Sequence, residues 1–249
     1  MKVIPRKTKL AMNSDILYCI GTTDNYNVLT KPTLDIQTNI ELLVEILEAN
    51  RKKFGKFTFN YLSSWFVYGE SDLPYRVDSI CNPKGFYSIS KYAAEMFLIS
   101  YCKTYDINYR ILRLGNVFGL NDQGVSQKKN ALQYLIQKIK NDEDISLYEG
   151  GDVVRDYIHV DDVVKAVDLV LAKSPVNMTI NIASGEPTKL KDAIDIVHAH
   201  HQSKSRIFNI PTPEFHKIVQ VRDAYLDTSF IKSLGFTITK PILKEIINL

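Results

Sequence analysis

The chain has 249 residues, of which 45% are hydrophobic and 24% charged, and its formal net charge is +3. This composition is that of an ordinary globular protein with one sizeable core. The mild charge and the dispersed basic residues argue against nucleic-acid binding, and no apolar run is long enough to span a membrane. Three widely spaced cysteines, Cys19, Cys81 and Cys102, favour reduced thiols in a cytoplasmic protein over disulfides or a zinc site.

The first half of the chain alternates strand and helix patterns. Apolar runs bounded by turn residues predict buried strands, and hydrophobic residues at a spacing of three or four predict helices. The strands are expected over 16–20, 57–62 and 109–114, and the helices over 35–50 and 88–103. Because the strands are too continuously apolar for a one-sided sheet, the pattern predicts an α/β fold with a parallel sheet covered on both faces.

The second half of the chain continues the alternation in shorter pieces. Helices are expected over 127–140 and over 161–172, the latter capped by Asp161, and a short strand over 179–182. Thr188 is expected to open a last helix that runs to about residue 201. Since no repeat or linker divides the chain, we expect one unit with a smaller C-terminal lobe interleaved.

Polar side chains follow three of the predicted strands. Thr22, Ser64 and Asn116 each come just after a strand end. In parallel sheets, ligands bind outside the carboxyl ends of the strands. These three residues therefore predict a ligand site at one edge of the sheet.

A Tyr-x-x-x-Lys pair lies in the second predicted helix, at Tyr87 and Lys91. Four residues along a helix place both side chains on one face. An ammonium beside a phenol favours the phenolate and is expected to lower a tyrosine pKa that starts at about 10. Such a tyrosine can exchange a proton with a sugar hydroxyl or a carbonyl oxygen. Ser64 is the expected hydroxyl partner, and Ser63 is the alternative.

Together these segments resemble the extended short-chain dehydrogenase/reductases that act on nucleotide sugars. The likeness covers nearly the whole chain from about residue 15. The matching segments are Ser63–Gly69, Tyr87 with Lys91, Leu112–Gly119, Arg155–Asp162 and Asn181–Gly185, with Asn39 before them and Arg222 after them.

The resemblance implies a role for each matching residue. Ser64, Tyr87 and Lys91 take the catalytic positions, and the lysine also hydrogen-bonds the nicotinamide ribose in relatives. Asn116 is expected to contact the sugar nucleotide. Arg155 is expected to bind its nucleotide part and Arg222 its diphosphate. Gly21, Thr22 and Ser63, which lie beside the catalytic residues, are expected to contact the cofactor.

The glycine-rich turn that opens the family's fold is not found in this sequence. Relatives carry a Gly-x-x-Gly-x-x-Gly turn whose backbone donors and following helix hold the cofactor pyrophosphate, whereas none of the 11 glycines here has that arrangement.

The expected fold is a Rossmann-like doubly wound sheet, N-terminally truncated, with residues 1–118 as the cofactor core and 119–249 mainly as the substrate lobe. A misplaced start, a natural remnant and completion by a separate chain are the competing explanations. NAD or NADP is expected to bind weakly, and the sequence leaves open which of the two.

The resemblance implies an epimerase or a 4-keto reductase acting on a nucleotide-diphosphate sugar, with polysaccharide synthesis as the associated pathway. The 4,6-dehydratases carry an Asp-Glu pair directly after the catalytic hydroxyl, where this chain has Trp65 and Phe66. Dehydration is therefore not expected. The rival interpretation is a catalytically impaired fragment, or a non-catalytic nucleotide-sugar-binding or scaffold protein.

Two further expectations concern partners and metals. Relatives often dimerise through the helix that carries Tyr-x-x-x-Lys and its neighbour, which predicts a homodimer through helices 35–50 and 88–103.

Three histidines cluster near the end of a helix without a carboxylate pattern, and solvated side chains are expected there rather than a metal site. They are His198, His200 and His201.

Overall fold

The computed structural model of the protein describes residues 8–10, 15–23, 25–120, 122, 125–126 and 129–249. Its strands are β1 Asp15–Tyr18, β2 Thr58–Ser64, β3 Asn108–Leu114, β4 Asn116–Phe118, β5 Ile145–Tyr148, β6 Val154–His159, β7 Met178–Ile182, β8 Pro187–Lys189 and β9 Ile207–Ile210. Its helices are α1 Leu34–Ile36, α2 Leu42–Phe54, α3 Phe86–Tyr105, α4 Ala131–Lys140, α5 Val160–Lys173, α6 Leu190–His201, α7 Glu214–Val219, α8 Ser229–Ser233 and α9 Ile242–Glu245. A π-helical turn, Gln37–Glu41, joins α1 to α2, and short 3₁₀ turns cover Asn25–Leu29, Trp65–Val67, Glu149–Gly151 and Ile246–Asn248.

The main sheet is parallel and has the strand order β1-β2-β3-β7. Ile16 pairs with Phe59 across β1 and β2, and Ser64 pairs with Leu114 across β2 and β3. The strands therefore end side by side at one edge of the sheet. This confirms the predicted α/β class and its Rossmann-like parallel sheet. Among the described residues, β1 is an edge strand of this sheet.

Helices cover both faces of the main sheet. On one face, Leu43 of α2 and Leu98 of α3 pack against Phe59 of β2, and all three are fully buried. On the other face, Val167 of α5 and Ile231 of α8 join the buried side chains of β3 and β7. Because neither face of the sheet meets water, successive strand residues are apolar, which is why the strands were readable from the sequence.

The second lobe has its own small sheets and its own core. Strands β4, β6 and β8 form one sheet, and β5 pairs with β9 in a second. Helices α4 and α6 enclose a core that includes Ile136, Ile139 and Ile194. Strand β7 comes from the second half of the chain but pairs with β3 in the main sheet. The division at residue 118 stays a prediction.

Three helix starts differ from those expected. Helix α5 is capped by His159 rather than by Asp161, because the His159 ring accepts the Asp161 backbone N–H at 3.1 Å. Thr188 does not open a helix; it pairs with Arg155 in the antiparallel β6–β8 ladder, and α6 begins at Leu190. Helix α4 begins at residue 131, after Asn130 caps it, and residues 127 and 128 of the expected helix lie outside the described part.

The described residues contain no helix that is both long and apolar enough to cross a membrane. Within the same residues, no cluster of three or more His, Cys, Asp or Glu side chains has the geometry of a metal site. Of the three histidines singled out in the sequence, His198 contacts the Ser205 carbonyl at 2.9 Å, and the rings of His200 and His201 meet edge to face.

Candidate active site

A cleft of about 750 Å³ opens where the carboxyl ends of β2 and β3 meet the second lobe. Its walls come from segments far apart in the sequence, which the parallel register of the main sheet brings together. Six of the predicted site residues line it: Ser63, Ser64, Tyr87, Asn116, Arg155 and Arg222. The expected catalytic hydroxyl, phenol and substrate-binding side chains therefore share one cavity.

The last two serines of β2 point to different partners. The Ser63 hydroxyl donates to the buried carboxylate of Glu95 at 2.5 Å. The Ser64 oxygen accepts the Phe66 backbone N–H at 3.3 Å and so caps the short turn that follows. Alternation along a strand sends neighbouring side chains to opposite faces. The donor of Ser63 is thus engaged by Glu95, whereas the described backbone contact of Ser64 uses its oxygen as an acceptor.

Tyr87 lies in the first turn of α3, and this helix begins at a tightly packed glycine. A Cβ atom on Gly85 would lie 2.6 Å from Asn25 Oδ1, so a larger residue would displace the start of the helix. The Gly85 N–H donates to Ser88 Oγ at 2.9 Å. The Tyr87 ring meets the Phe66 ring edge-on, with centroids 5.7 Å apart. These contacts fix the phenol at the mouth of the cleft.

Lys91, one turn further along α3, is almost fully buried, at 4% exposed. Its Nζ donates to the Leu62 carbonyl at 2.7 Å and lies 4.1 Å from the centroid of the Tyr61 ring. Desolvation lowers the pKa of Lys91 to about 7, against the opposing effects of Glu95 and Cys19.

The predicted effect of the ammonium on Tyr87 is wrong for this structure. The pKa of Tyr87 is raised, chiefly because burial disfavours the phenolate; the Ser64 hydrogen bond lowers it and the Asp35 carboxylate raises it further. Lys91 does not offset this rise in the pKa of Tyr87, because its ammonium donates to the Leu62 carbonyl. Tyr87 therefore holds its proton at neutral pH in this state.

The loop after β1 is held to α3 by a chain of hydrogen bonds through Asn39. The Thr22 backbone N–H donates to Asn39 Oδ1 at 2.9 Å. Asn39 Nδ2 in turn donates to Thr22 Oγ1 and to Ser90 Oγ, both at 2.8 Å. Asn39 stands in the π-helical turn, a distortion that is frequent at functional sites. At Gly21, an added Cβ would lie 3.6 Å from the Lys91 Nζ, so its backbone passes close to the ammonium.

Sequence reasoning missed a buried carboxylate at this point. Asp35 is fully buried, and its Oδ1 accepts the Thr22 hydroxyl at 2.5 Å. Its other oxygen, Oδ2, has no hydrogen-bond partner among the described residues. In the sequence, Asp35 has the place of an ordinary acidic residue in the first turn of a helix, so no local signal marks it.

The predicted substrate-binding residues line the same cleft as Tyr87. Arg155 donates to the carbonyls of Val221 at 3.0 Å and Arg222 at 2.5 Å, and its guanidinium lies 5.4 Å from the centroid of the Trp65 ring. Arg222 is exposed and forms an ion pair with Asp152 at 3.0 Å.

These contacts have different consequences for a ligand. The Arg155 guanidinium is held by backbone carbonyls, which carry no formal charge, whereas Arg222 is paired with the Asp152 carboxylate. Asn116 donates to the Asp156 carbonyl at 3.3 Å, which orients its amide at the end of the β3–β4 segment.

Two aromatic residues follow Ser64 directly in the sequence. The rings of Trp65 and Phe66 are stacked with their centroids 4.0 Å apart, and both residues line the cleft. Neither side chain can donate or abstract a proton at carbon. The two positions directly after Ser64 therefore offer no acid or base.

Comparison with known proteins identifies a family and several relatives. Residues 11–183 match the NAD dependent epimerase/dehydratase family. The chain is 30% identical over 214 residues to a putative UDP-glucose 4-epimerase of Methanocaldococcus jannaschii, an alignment that covers 84% of this chain and 67% of that protein. It is also 30% identical over 141 residues to a dTDP-4-dehydro-6-deoxyglucose reductase of Escherichia coli, which covers 57% of this chain and 44% of the reductase.

The fold agrees with a solved structure of the same kind. A Thermus thermophilus UDP-glucose 4-epimerase in complex with NAD superposes with a TM-score of 0.82 at 20% identity. The superposition covers 94% of this chain and 75% of that one. This likeness establishes the fold. The chain thus spans two thirds or less of the two curated relatives and three quarters of this structure.

The buried ammonium of Lys91 gives a pH-dependent stability that can be measured. Its pKa falls from its ordinary value of 10.5 to about 7 on folding, so between these values the unfolded chain binds more protons. Stability must then rise with pH across this window, by up to about 1.4 kcal/mol per unit. Urea unfolding of the wild type and of Lys91→Met at pH 7.5, 8.5 and 9.5 isolates this effect, because other groups cancel in the difference. A difference that does not vary with pH would show that Lys91 is not titrating as described.

Proposed function

We propose that this chain, which belongs to the NAD dependent epimerase/dehydratase family, acts on a nucleotide-diphosphate sugar as an epimerase or a 4-keto reductase. The observation that carries the proposal is that Ser64, Tyr87, Arg155 and Arg222 all line one cleft. A proton-transferring phenol and cations in the same cavity are what a sugar joined to a diphosphate requires.

The residues around Lys91 fit the nicotinamide-riboside half of a dinucleotide. An ammonium has three donors, and the described contacts of Lys91 use one of them, toward Leu62. The backbone at Gly21 passes close to the ammonium without a side chain in between. Lys91 would hold a ribose hydroxyl, and the loop of Gly21 and Thr22 would lie along the cofactor. When bound, the nicotinamide supplies the acceptor and donor of hydride.

The protein's own contribution is to hold and move one proton. Tyr87 transfers a proton to or from the oxygen on the reacting sugar carbon, and Ser64 hydrogen-bonds the phenol and orients it. Arg155 and Arg222 hold the diphosphate, so the sugar reaches Tyr87 in a fixed orientation. Asn116 lies between the two groups and contacts the substrate from the β3–β4 segment.

The two aromatic residues after Ser64 support two reactions within the family over a third. Dehydration needs an acid for the leaving group and a base for the neighbouring carbon, and Trp65 and Phe66 provide neither. Epimerisation and 4-keto reduction need only the phenol beside the hydride-exchanging carbon. Polysaccharide synthesis is the associated pathway in which we place either reaction.

An exposed apolar stripe on α3 supports a homodimer. Phe86, Ile89, Met96 and Phe97 are each at least 41% exposed and recur at helical spacing on the outer face of α3. We assign this stripe to a second copy of the chain. The neighbouring helix in the predicted dimer interface covers residues 35–50. Its Ile36 is also exposed, but Glu41 and Glu45 make its outer face polar.

NAD binding by the purified 249-residue chain should be weak. The sequence has 11 glycines and none in a Gly-x-x-Gly-x-x-Gly turn, so its backbone offers no such cradle for the pyrophosphate. Titration calorimetry should give a dissociation constant of roughly 0.1 mM or weaker, and Lys91→Met should weaken it further. Low-micromolar binding by the wild type would overturn this expectation.

Replacing the phenol tests the catalytic assignment. Tyr87→Phe should lower turnover of UDP-glucose or of a 4-keto sugar nucleotide by about 10²-fold or more, because the proton has no other carrier. Tyr101→Phe, on the same helix but hydrogen-bonded to Glu48, is the matched control and should retain activity. Equal rates for wild type and Tyr87→Phe would remove Tyr87 from the mechanism. Binding of a nucleotide sugar without turnover at saturating NAD would favour the scaffold interpretation.

The apolar stripe on α3 predicts a change of oligomeric state on charge insertion. Phe97→Glu should convert a dimer into a monomer, since a buried carboxylate without a partner is costly. Leu243→Glu on α9, where Leu243 is 43% exposed, is the control and should leave the mass unchanged. Light scattering coupled to gel filtration reads both, and a monomeric wild type would refute the dimer.

A further inference from the structure

A buried ion pair lies directly beneath the candidate site. Glu95 is fully buried, and its Oε2 accepts Arg113 Nη2 at 2.7 Å. Its Oε1 accepts Arg113 Nε at 3.1 Å and the Ser63 hydroxyl at 2.5 Å. The carboxylate thus binds a guanidinium through two parallel hydrogen bonds and a hydroxyl through a third. No step of the proposed reaction uses these three side chains.

Each member of this cluster stands beside a residue of the site. Ser63 precedes Ser64 at the end of β2, and Glu95 follows Lys91 by one turn of α3. Arg113 lies in β3, just before the chain reaches Asn116. A shift of any one partner would therefore move a site residue relative to the others.

We propose that Glu95 is the positioning residue of the site: its carboxylate ties Ser63 of β2 and Arg113 of β3 to helix α3, and its negative charge faces the Lys91 ammonium from one turn away. This role is additional to the proposed reaction. It rests on the proposed function only in taking Lys91 as a residue that binds the cofactor.

Energetics argue against a merely structural role for the cluster. Burying an ion pair gives little net stability compared with apolar side chains of the same shape. The Arg113 guanidinium lies 4.6 Å from the centroid of the Tyr68 ring, and its Nη1 has no hydrogen-bond partner among the described residues. Apolar packing would hold the three elements together at lower cost. The feature that apolar side chains cannot supply is an anion near Lys91.

Among the described residues, two titratable groups affect the charge of Lys91: Glu95 on its own helix and Cys19, the residue after β1. The Tyr61 ring of β2 also lies against the ammonium. Glu95 is the first of the two groups that raise the pKa of Lys91 against desolvation. Without Glu95, burial would leave Lys91 largely neutral at pH 7, with fewer donors for a ribose hydroxyl.

The test measures the charge of Lys91 without any cofactor or substrate. The full chain is labelled with ¹³Cε-lysine, the Lys91 signal is assigned with Lys91→Arg, and its chemical shift is titrated by NMR. In Glu95→Gln, which keeps the shape and one acceptor but no charge, the pKa of Lys91 should fall by about one unit or more.

Two further variants separate the loss of the Glu95 charge from a general loss of stability. Glu95→Gln leaves Arg113 buried without its anion and risks misfolding, so Glu95→Gln with Arg113→Met removes both charges together and should show the same fall. Arg110→Met is the structural control, because Arg110 is equally buried in β3 but pairs with Asn60 and Ser174. It should lower the melting temperature and leave the Lys91 titration unchanged.

The results separate this proposal from the proposed function. A lower Lys91 pKa in both Glu95 variants, with no shift in Arg110→Met, supports Glu95 as the positioning residue even if no turnover is ever found. An unchanged Lys91 pKa in both Glu95 variants, or an equal fall in Arg110→Met, would overturn it, whatever the activity of the wild type.

Discussion

The burial of one ammonium, that of Lys91, is the constraint around which the rest of the site is arranged. A lysine charge removed from water is unfavourable unless the protein replaces the lost solvation. Here the Leu62 carbonyl, the Tyr61 ring and the Glu95 carboxylate make that replacement from β2 and α3. Since these elements also carry Ser64 and Tyr87, the arrangement that solvates Lys91 is the one that brings the proposed catalytic residues together.

The parallel register of the main sheet makes this arrangement possible. Ser64 pairs with Leu114, so the ends of β2 and β3 lie level and their next residues emerge at the same edge. The chain then continues into β4, whose pairing with β6 brings Arg155 to the same cleft. A site assembled from strand ends is sensitive to any slip in register, because a slip of one residue reverses which side chains face the cleft.

Much of this architecture follows from the sequence, for reasons that also explain the misses. Strands buried on both faces and long helices leave strong local patterns. The predicted pair Tyr87 and Lys91 rests on local helical spacing, and Ser64 rests on its place at the end of a strand. Asp35 and the β5–β9 pair depend on contacts across the fold that no local pattern records. The start of α6 was misplaced because the pairing of β8 with β6 is a tertiary event. Glu95 carried a readable signal, four residues after Lys91 on the same helical face, but its partner Arg113 did not.

The proton equilibria of Tyr87 and Lys91 bear on how the site works. Burial raises the pKa of the phenol and lowers that of the ammonium to about 7, so neutral pH leaves Tyr87 protonated and Lys91 divided between its two forms. A protonated phenol donates readily to a keto oxygen, which is the half-reaction that epimerases and 4-keto reductases share. Abstraction of a proton from a sugar hydroxyl requires added positive charge near Tyr87. In the proposed function that charge comes from Lys91, whose pKa the Glu95 carboxylate raises against desolvation. On this proposal the buried carboxylate also affects which direction of proton transfer the site favours.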